Sequence, residues 1–231
     1  PKAIEHPRTR GLDPNACICI PNGAEAPEAA TDHAPAEAVR RMRSEGRFTI
    51  VHAGGHGDYH GLDTLIRAMD ALPSGRFGLV TIGEGAAKDR LRSLADGLAN
   101  VHARFIDRVD RASALSAMTE GDVVYAGLRG HSIYRFGIGL NKIYDAMLCG
   151  RPIIGSYTAG NDPVTEAECG IRVPADDPRS LAAGIERLAS FSADRRNEMG
   201  KNGRRHVLEH HDFESLAGRL VDAIAKQRTS S

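Results

Sequence analysis

The chain has 231 residues, and its 30 lysine and arginine residues are balanced by 30 aspartate and glutamate residues. A formal net charge of zero disfavours a protein that binds nucleic acid or an acidic membrane through a general positive field. A hydrophobic fraction of 41% with 26% charged residues indicates a globular protein with a buried core, which excludes disordered and fibrous classes. No apolar run approaches the roughly 20 residues of a membrane-spanning helix.

Four cysteines are present, and none of them is in the Cys-x-x-Cys spacing that is typical of zinc and redox sites. Cys17 and Cys19 are too close in one stretch to form an easy disulfide, and the other two are Cys149 and Cys169. We therefore predict reduced thiols and a cytoplasmic protein without a metal site.

The first part of the chain, residues 1–46, contains many prolines and is interpreted as a lead-in segment. Within it the sequence predicts a short strand over residues 16–20, which ends at the turn Pro21-Asn22-Gly23, and a helix over residues 35–43. The chain begins without Met, and only about 45 residues precede the first core strand, so we expect a fragment of a longer protein.

From Phe48 onward, β-branched runs alternate with helical periods, which is typical of βαβ units around a parallel sheet. The predicted strands span residues 48–53, 77–82, 101–106, 122–127, 151–156 and 170–174. The predicted helices cover about residues 62–72, 86–98, 111–119, 139–149, 178–190, 194–209 and 213–226. We therefore predict an α/β fold for residues 47–231, a Rossmann-like, doubly wound parallel sheet of six strands.

Ligands of such sheets bind beyond the carboxyl ends of the strands, which directs attention to the loops after Ala53, Ile82, Ile106, Gly127 and Ser156. The first of these loops, residues 53–61, is rich in glycine, so its amides can approach an anion at a helix N-terminus. Its glycines miss the Gly-x-Gly-x-x-Gly fingerprint by one residue, and a plain tight turn stays open.

Three histidines in and before this loop, His52, His56 and His60, recur every four residues. On a helix they would form one metal-binding face, but the intervening glycines argue against a helix there. The second glycine loop contains Gly83, Glu84 and Gly85. Glu84 is either a ligand for a ribose hydroxyl or a solvated loop acid.

The most informative stretch is residues 128–156, in which a strand, a polar loop and a helix are followed by another buried strand. Lys142 and Asp145 are i, i+3 neighbours in the first turns of that helix and can flank one ligand. A lysine there is opposed by the helix dipole unless an anion lies in front of it. The alternative is a surface ion pair between these two residues.

The order of these motifs resembles the carboxy-terminal, nucleotide-sugar-binding half of the family 4 (group 1) glycosyltransferases, over about residues 17–224. Residues 20–23 match the family's Ile-Pro-Asn-Gly, residues 54–65 align with its Gly-Arg-x-x-x-x-Lys-Gly-x-x-x-Leu, and residues 83–85 repeat its Gly-x-Gly. Residues 136–152 resemble Phe-Gly-x-x-x-Asn-Lys-x-x-Glu-x-Met-x-x-Gly-x-Pro, which is typical of enzymes of bacterial surface polysaccharide biosynthesis.

This resemblance implies one half of a GT-B fold that binds a nucleoside diphosphate sugar, with no other cofactor and no bound metal. It implies retaining transfer of the glycosyl group to a polysaccharide or a lipid-linked acceptor, the latter with peripheral membrane contact. It further implies an amino-terminal acceptor domain outside this chain, without which we expect the fragment to be inactive. A GT-B nucleotide-sugar epimerase and a noncatalytic nucleotide-binding Rossmann-like module remain open.

Roles carried over from the family assign Lys142 and Asp145 to catalysis, with Lys142 neutralising the diphosphate and Asp145 in place of a ribose-binding Glu. The family's Arg and Lys of the opening loop are replaced here by Gly55 and His60. The residues predicted to bind the donor are Gly54, Gly55, His60, Gly83, Glu84, Gly85, Arg129 and Asn141.

Overall fold

The computed structural model describes residues 9–11, 13, 17–26 and 29–229. Within them, one six-stranded sheet contains β1 (Phe48–Ala53), β2 (Phe77–Ile82), β3 (Ala103–Ile106), β4 (Val123–Gly127), β5 (Ile153–Ser156) and β6 (Gly170–Val173). All neighbouring strands are parallel, in the order β3-β2-β1-β4-β5-β6. The predicted α/β class and the six-stranded, Rossmann-like sheet, one half of a GT-B fold, are confirmed. The strand order reverses between β1 and β4, where such sheets bind their ligands.

The helices alternate with the strands, as the apolar periodicity predicts. They are α1 (Ala34–Ser44), α2 (Leu62–Asp70), α3 (Lys88–Asp96), α4 (Arg111–Glu120), α5 (Asn141–Leu148), α6 (Pro163–Glu166), α7 (Pro178–Ser190), α8 (Ala193–His210) and α9 (Phe213–Thr229). Two short 3₁₀ helices, Asp58–His60 and Ser132–Phe136, and the single turn α6 were not predicted. Each is too short for apolar periodicity to reveal it.

Alternate residues of the strands supply two separate cores, one on each face of the sheet. Val51 of β1 packs in the core that α1, α4 and α5 cover, whereas its neighbour Ile50 packs under α2, α3 and α7. Because successive side chains of a strand point to opposite faces, a sheet buried on both faces needs continuous apolar runs. β2 is buried along its whole length for this reason.

The segment before β1 differs from its prediction in one respect. Residues 17–20 of the predicted strand 16–20 are irregular and pair with no strand, so that prediction is wrong for them, while residue 16 lies outside the described residues. The predicted helix is confirmed as α1, and its Val39 and Met42 are buried in the core. In the irregular stretch 17–20, the carbonyl oxygen of Cys19 accepts a hydrogen bond from Arg219 Nη2 of α9 (3.2 Å) rather than from a neighbouring strand.

All four cysteines are free thiols, and Cys149 and Cys169 are buried. Burial raises the pKa of each of these two thiols to about 12, so neither forms a thiolate at neutral pH. In the part of the chain that the structure describes, no helix has the length and apolar character to cross a bilayer.

Candidate functional site

A cavity of about 350 Å³ lies beyond the carboxyl ends of β1, β2 and β3. The residues that line it come from the loops after these strands and from α4 and α5. They are Ala53, Gly54, Gly55, Ile82, Gly83, Glu84, Arg108, Val109, Arg111, Ala114, Leu115, Met118, Lys142 and Asp145. Six of the ten predicted site residues thus share one cavity, and three of the five predicted loops supply its wall.

Close backbone contact between the first two loops shapes the wall of this cavity. The Gly54 amide donates to the carbonyl oxygen of Ile82 (3.0 Å), and the His56 amide donates to that of Glu84 (2.8 Å). A Cβ atom on Gly83, whose φ is +146°, would lie 1.9 Å from the carbonyl oxygen of Gly54. Glycine is therefore required at Gly83 both by its conformation and by the space available.

Lys142 brings a positive charge from the first turn of α5 to this cavity. Its Nζ donates a hydrogen bond to Nδ1 of His60, at 2.6 Å. Burial lowers the pKa of Lys142 to about 8, so the ammonium form predominates at neutral pH but is stabilised less than in water. Burial and the nearby Lys142 charge lower the pKa of His60 to about 4, which leaves its ring neutral.

Asp145 also lines the cavity, but its ionic partner is Arg111 and not Lys142. Arg111 Nη2 and Nε donate to Oδ1 of Asp145 at 2.6 and 3.2 Å, and Nη2 also donates to the carbonyl oxygen of Glu25. The alternative of a surface ion pair between Lys142 and Asp145 is therefore wrong. Among the described residues, Oδ2 of Asp145 accepts no hydrogen bond, so this oxygen of a cavity-lining side chain has lone pairs that are not used within the described protein.

Two cations that follow β3 were not predicted from the sequence, one in the loop and one in the first turn of α4. Arg108 and Arg111 both line the cavity, and Arg108 makes no ion pair within the described residues. The loop after Ile106 was among the predicted ligand-binding loops, but it contains no glycine motif from which to choose residues. Glu84, in contrast, is half exposed and its carboxylate contacts Lys88 (2.6 Å) at the rim.

Four predicted site residues do not line the cavity. His60 lies behind Lys142, and Gly85 packs on the backbone of His56. Asn141 accepts a hydrogen bond from Asn22 Nδ2 (2.6 Å), which joins α5 to the Ile-Pro-Asn-Gly segment. The guanidinium group of Arg129 contacts Asp63 (2.5 Å) of α2 and Asp176 (3.3 Å) of the loop after β6. It also donates to the carbonyl oxygen of Asp58 in the first 3₁₀ helix, so Arg129 joins these elements and does not line the cavity.

The three histidines do not share one helical face. His52 lies on β1, His56 on the loop after it and His60 on the first 3₁₀ helix. The ring of His52 lies 6.1 Å from that of His56 and 6.2 Å from that of His60, centroid to centroid. Burial lowers the pKa of His56 to about 4 and that of His52 far below its usual value. Across the described ranges, no three His, Cys, Asp or Glu side chains are grouped so as to hold a metal ion. The cluster is neutral at neutral pH.

The buried position of Lys142 predicts that this residue destabilises the unliganded protein. A shift of its pKa from 10.5 to about 8 costs about 3 kcal/mol at pH 7, of which the hydrogen bond to His60 offsets about 1 kcal/mol. We expect Lys142→Met to raise the free energy of unfolding by about 2 kcal/mol at pH 7, measured by urea denaturation. The gain should shrink as the pH rises from about 8 to 10.5 and should disappear above 10.5, where the lysine is neutral in both states.

Lys88 provides the matched control because its side chain is also mostly buried, with 9% exposed, but contacts Glu84 and Asp107. Those contacts outweigh burial and raise the pKa of Lys88. We therefore expect Lys88→Met to destabilise the protein. A loss of stability for Lys142→Met of similar size would show that Lys142 is a structural residue.

Residues 47–190 match the sequence profile described as "Glycosyl transferases group 1". The chain therefore belongs to the group 1 glycosyltransferases, as the resemblance of its motifs implies. It is 33% identical over 172 residues to a phosphatidyl-myo-inositol mannosyltransferase of Mycolicibacterium smegmatis, a match that covers 72% of the chain and 41% of the relative. It is 25% identical over 177 residues to an uncharacterized glycosyltransferase of Methanocaldococcus jannaschii, covering 75% of the chain and 44% of the relative. The matches thus span less than half of either relative.

Solved structures share the fold at low sequence identity. The sucrose-phosphate synthase of Thermosynechococcus elongatus superimposes with a TM-score of 0.72 at 23% identity, over 99% of this chain and 57% of that one. Anabaena HepE in complex with UDP and glucose gives a TM-score of 0.65 at 17% identity, over 85% of this chain and 53% of that one. These matches establish the shared fold.

Proposed function

We propose that this chain is the donor domain of a glycosyltransferase and binds a nucleoside diphosphate sugar in the cavity at the carboxyl ends of β1, β2 and β3. The observation that carries the proposal is the position of Lys142, a partly buried ammonium group beside glycine-rich backbone at the ligand-binding edge of a Rossmann-like sheet. A buried charge that costs stability and lacks a carboxylate partner is typical of a site whose partner is a ligand.

The diphosphate is the part of the donor that the site fits best. Lys142 and Arg108 supply positive charge without a carboxylate partner among the described residues, and Gly54 and Gly55 let the phosphates approach the backbone. The N-terminus of α5 has no side-chain cap, because Leu140 precedes it. Its free amides and the helix dipole favour an anion there.

The reaction is proposed to retain the configuration of the sugar. The bond between the anomeric carbon and the diphosphate oxygen breaks, and the acceptor hydroxyl oxygen forms its bond to the anomeric carbon on the same face. The proton of that hydroxyl passes to the leaving diphosphate oxygen, which becomes more basic as the bond breaks. Lys142, Arg108 and the amides stabilise the charge of the leaving diphosphate without a metal, which is electrostatic catalysis. Asp145 is proposed to accept a hydrogen bond from a ribose hydroxyl through Oδ2, since Arg111 contacts only its Oδ1.

The remaining assignments rest on the relatives. HepE in complex with UDP favours a uridine nucleotide, and the phosphatidyl-myo-inositol mannosyltransferase favours a lipid acceptor over a polysaccharide. Because the matches span less than half of the curated relatives, we propose that an amino-terminal domain binds the acceptor and that this chain alone transfers no sugar.

Calorimetric titration with UDP, GDP and the two nucleosides tests the proposal. We expect one diphosphate to bind with a Kd below about 1 mM, with the same affinity in EDTA as in Mg²⁺. Lys142→Ala should weaken the diphosphate about 30-fold and leave the nucleoside almost unchanged, because a charge-assisted hydrogen bond contributes about 2 kcal/mol. Lys201→Ala is the control, since Lys201 is exposed on α8.

Absence of saturable binding for every nucleotide would contradict the proposal. Equal losses of diphosphate and nucleoside in Lys142→Ala would contradict the role of Lys142. Incubation with UDP-sugars alone provides a further outcome, because formation of an epimerised sugar without acceptor would favour the epimerase instead.

A further inference from the structure

His60 contacts Lys142 from the first 3₁₀ helix, on the side away from the open cavity. His60 is 7% exposed and does not line the cavity, yet its Nδ1 lies 2.6 Å from Lys142 Nζ. Because an ammonium group can only donate hydrogen bonds, Nδ1 of His60 must be the acceptor. The one proton of the neutral imidazole ring must then be on Nε2. His60 therefore contributes no charge at neutral pH and cannot itself neutralise a phosphate.

The position of the His60 ring is fixed by its surroundings. The fully buried Tyr125 donates from its hydroxyl to the carbonyl oxygen of Gly61 (2.9 Å), which holds the backbone after His60. The ring of Tyr59 packs on the imidazole at a centroid distance of 4.0 Å. A Cβ atom on Gly55 would lie 2.8 Å from His60 Nε2, so Gly55 leaves the space that the ring fills.

The ammonium group of Lys142 needs such a support. A lysine side chain has four rotatable bonds, and holding its charge in one place costs conformational entropy. The acceptor on His60 limits that freedom before any ligand binds. Two of the three ammonium protons remain available for a ligand, whereas an ion pair with Asp145 would have neutralised the charge.

We propose that His60 is a positioning residue, whose neutral imidazole accepts a hydrogen bond from Lys142 and holds the ammonium group at the cavity edge to meet an anionic ligand. This inference rests on the proposed function for the nature of the ligand. It deepens that function because it identifies the residue that holds the ammonium group of Lys142 in place. It also replaces the expectation that His60 binds phosphate itself.

The pKa of Lys142 tests the contact without any nucleotide. The chain has only five lysines, so ¹³C-labelled lysine gives few signals to assign, and Lys142→Met identifies the relevant one. His60→Leu removes the acceptor and should lower the pKa of Lys142 by about 1, whereas His60→Asn keeps an acceptor oxygen near Nδ1 and should change it little. Among the described residues, the other titratable groups around Lys142, which the variants leave in place, are His52 and the cavity-lining Glu84, Arg108, Arg111 and Asp145.

Binding provides the second measurement. We expect His60→Leu to weaken UDP about 10-fold with no change for uridine, and His60→Asn to stay within about 3-fold of the unmodified protein. In a Lys142→Met background, His60→Leu should change UDP affinity less than about 2-fold, because its effect passes through Lys142. GDP and guanosine replace this pair if the protein prefers guanine.

A purely structural role of His60 would give a different result. UDP and uridine would then weaken together, the loss would persist in the Lys142→Met background, and the pKa of Lys142 would not fall; any of these overturns the inference. If His60→Leu does not fold, His60→Gln, whose oxygen reaches toward Nε2 instead, takes its place with the same expected losses. If no nucleotide binds the unmodified protein, the proposed function fails, and the pKa of Lys142 alone decides the role of His60.

Discussion

Between pH 6.5 and pH 4 we expect the unliganded protein to lose about 6 kcal/mol of unfolding free energy through His56 and His60 alone. In the unfolded chain both histidines titrate near 6.5, whereas burial lowers the pKa of each to about 4 in the folded state. Over this window only the unfolded state binds the protons, so stability falls as the pH falls and levels off below about 4. His52 acts in the same direction.

Urea denaturation at several values between pH 7 and pH 4 measures the loss, and single substitutions locate it. His56→Gln keeps a partner for the Thr81 hydroxyl, which lies 2.8 Å from His56 Nε2, and His60→Asn keeps the acceptor for Lys142. Each should recover about 3 kcal/mol at pH 4 and little at pH 7. His33→Gln, at a position outside the cluster, should leave the profile unchanged.

The pH range of the loss distinguishes these histidines from a carboxylate such as Asp110. Hydrogen bonds from Ser113 lower the pKa of Asp110 to about 2, so the stability that Asp110 contributes is lost only below about pH 4. His52, His206 and His211 also have lowered pKa values and keep their own losses in the double variant of His56 and His60. A loss between pH 6.5 and pH 4 that is as large in the double variant as in the unmodified protein would contradict the assignment to His56 and His60.

The fold was predictable because its signals are local and repeated. Strand β2 is buried on both faces, so its apolar run stands out, and Leu62, Leu65 and Ile66 already form a helical stripe. Residues 17–20 show where such signals fail. A short apolar run that ends at a turn predicted a strand there, but the stretch pairs with no strand of the sheet. Strand formation depends on a neighbouring strand, which composition alone does not supply.

The candidate site was predictable in its location but not in its pairings. Strand ends and glycine loops indicated where the cavity lies, whereas the partner of each charge depends on side chains distant in sequence. Lys142 and Asp145 are three residues apart, yet their partners are His60 and Arg111, which are reached only through the fold. The i, i+3 rule describes isolated helices, and tertiary contacts override it here. The spacing of the three histidines, in contrast, would form a metal-binding face only on a continuous helix, and the intervening glycines already argued against a helix there.

Gly83→Ala should cost about 4 kcal/mol of unfolding free energy, because it combines backbone strain with overpacking against a backbone atom. At φ +146° an alanine is strained, and its Cβ would lie 1.9 Å from the carbonyl oxygen of Gly54. A flexible side chain could move aside, but Gly54 is held by the hydrogen bond from its amide to Ile82. The two loops must therefore separate, which widens the wall of the cavity and should also weaken diphosphate binding.

Gly75→Ala separates the two contributions in the same denaturation experiment. Gly75 has a φ of +74°, and among the described residues no atom lies within 4 Å of the position that a Cβ atom would take there. An alanine at this position therefore meets only the backbone strain, about 1 to 2 kcal/mol. The excess cost of Gly83→Ala over Gly75→Ala measures the contact between the loops. Equal losses of unfolding free energy in the two variants would mean that the two loops separate at no cost. The cavity wall would then not be fixed in the unliganded protein, and it would form only when a ligand binds.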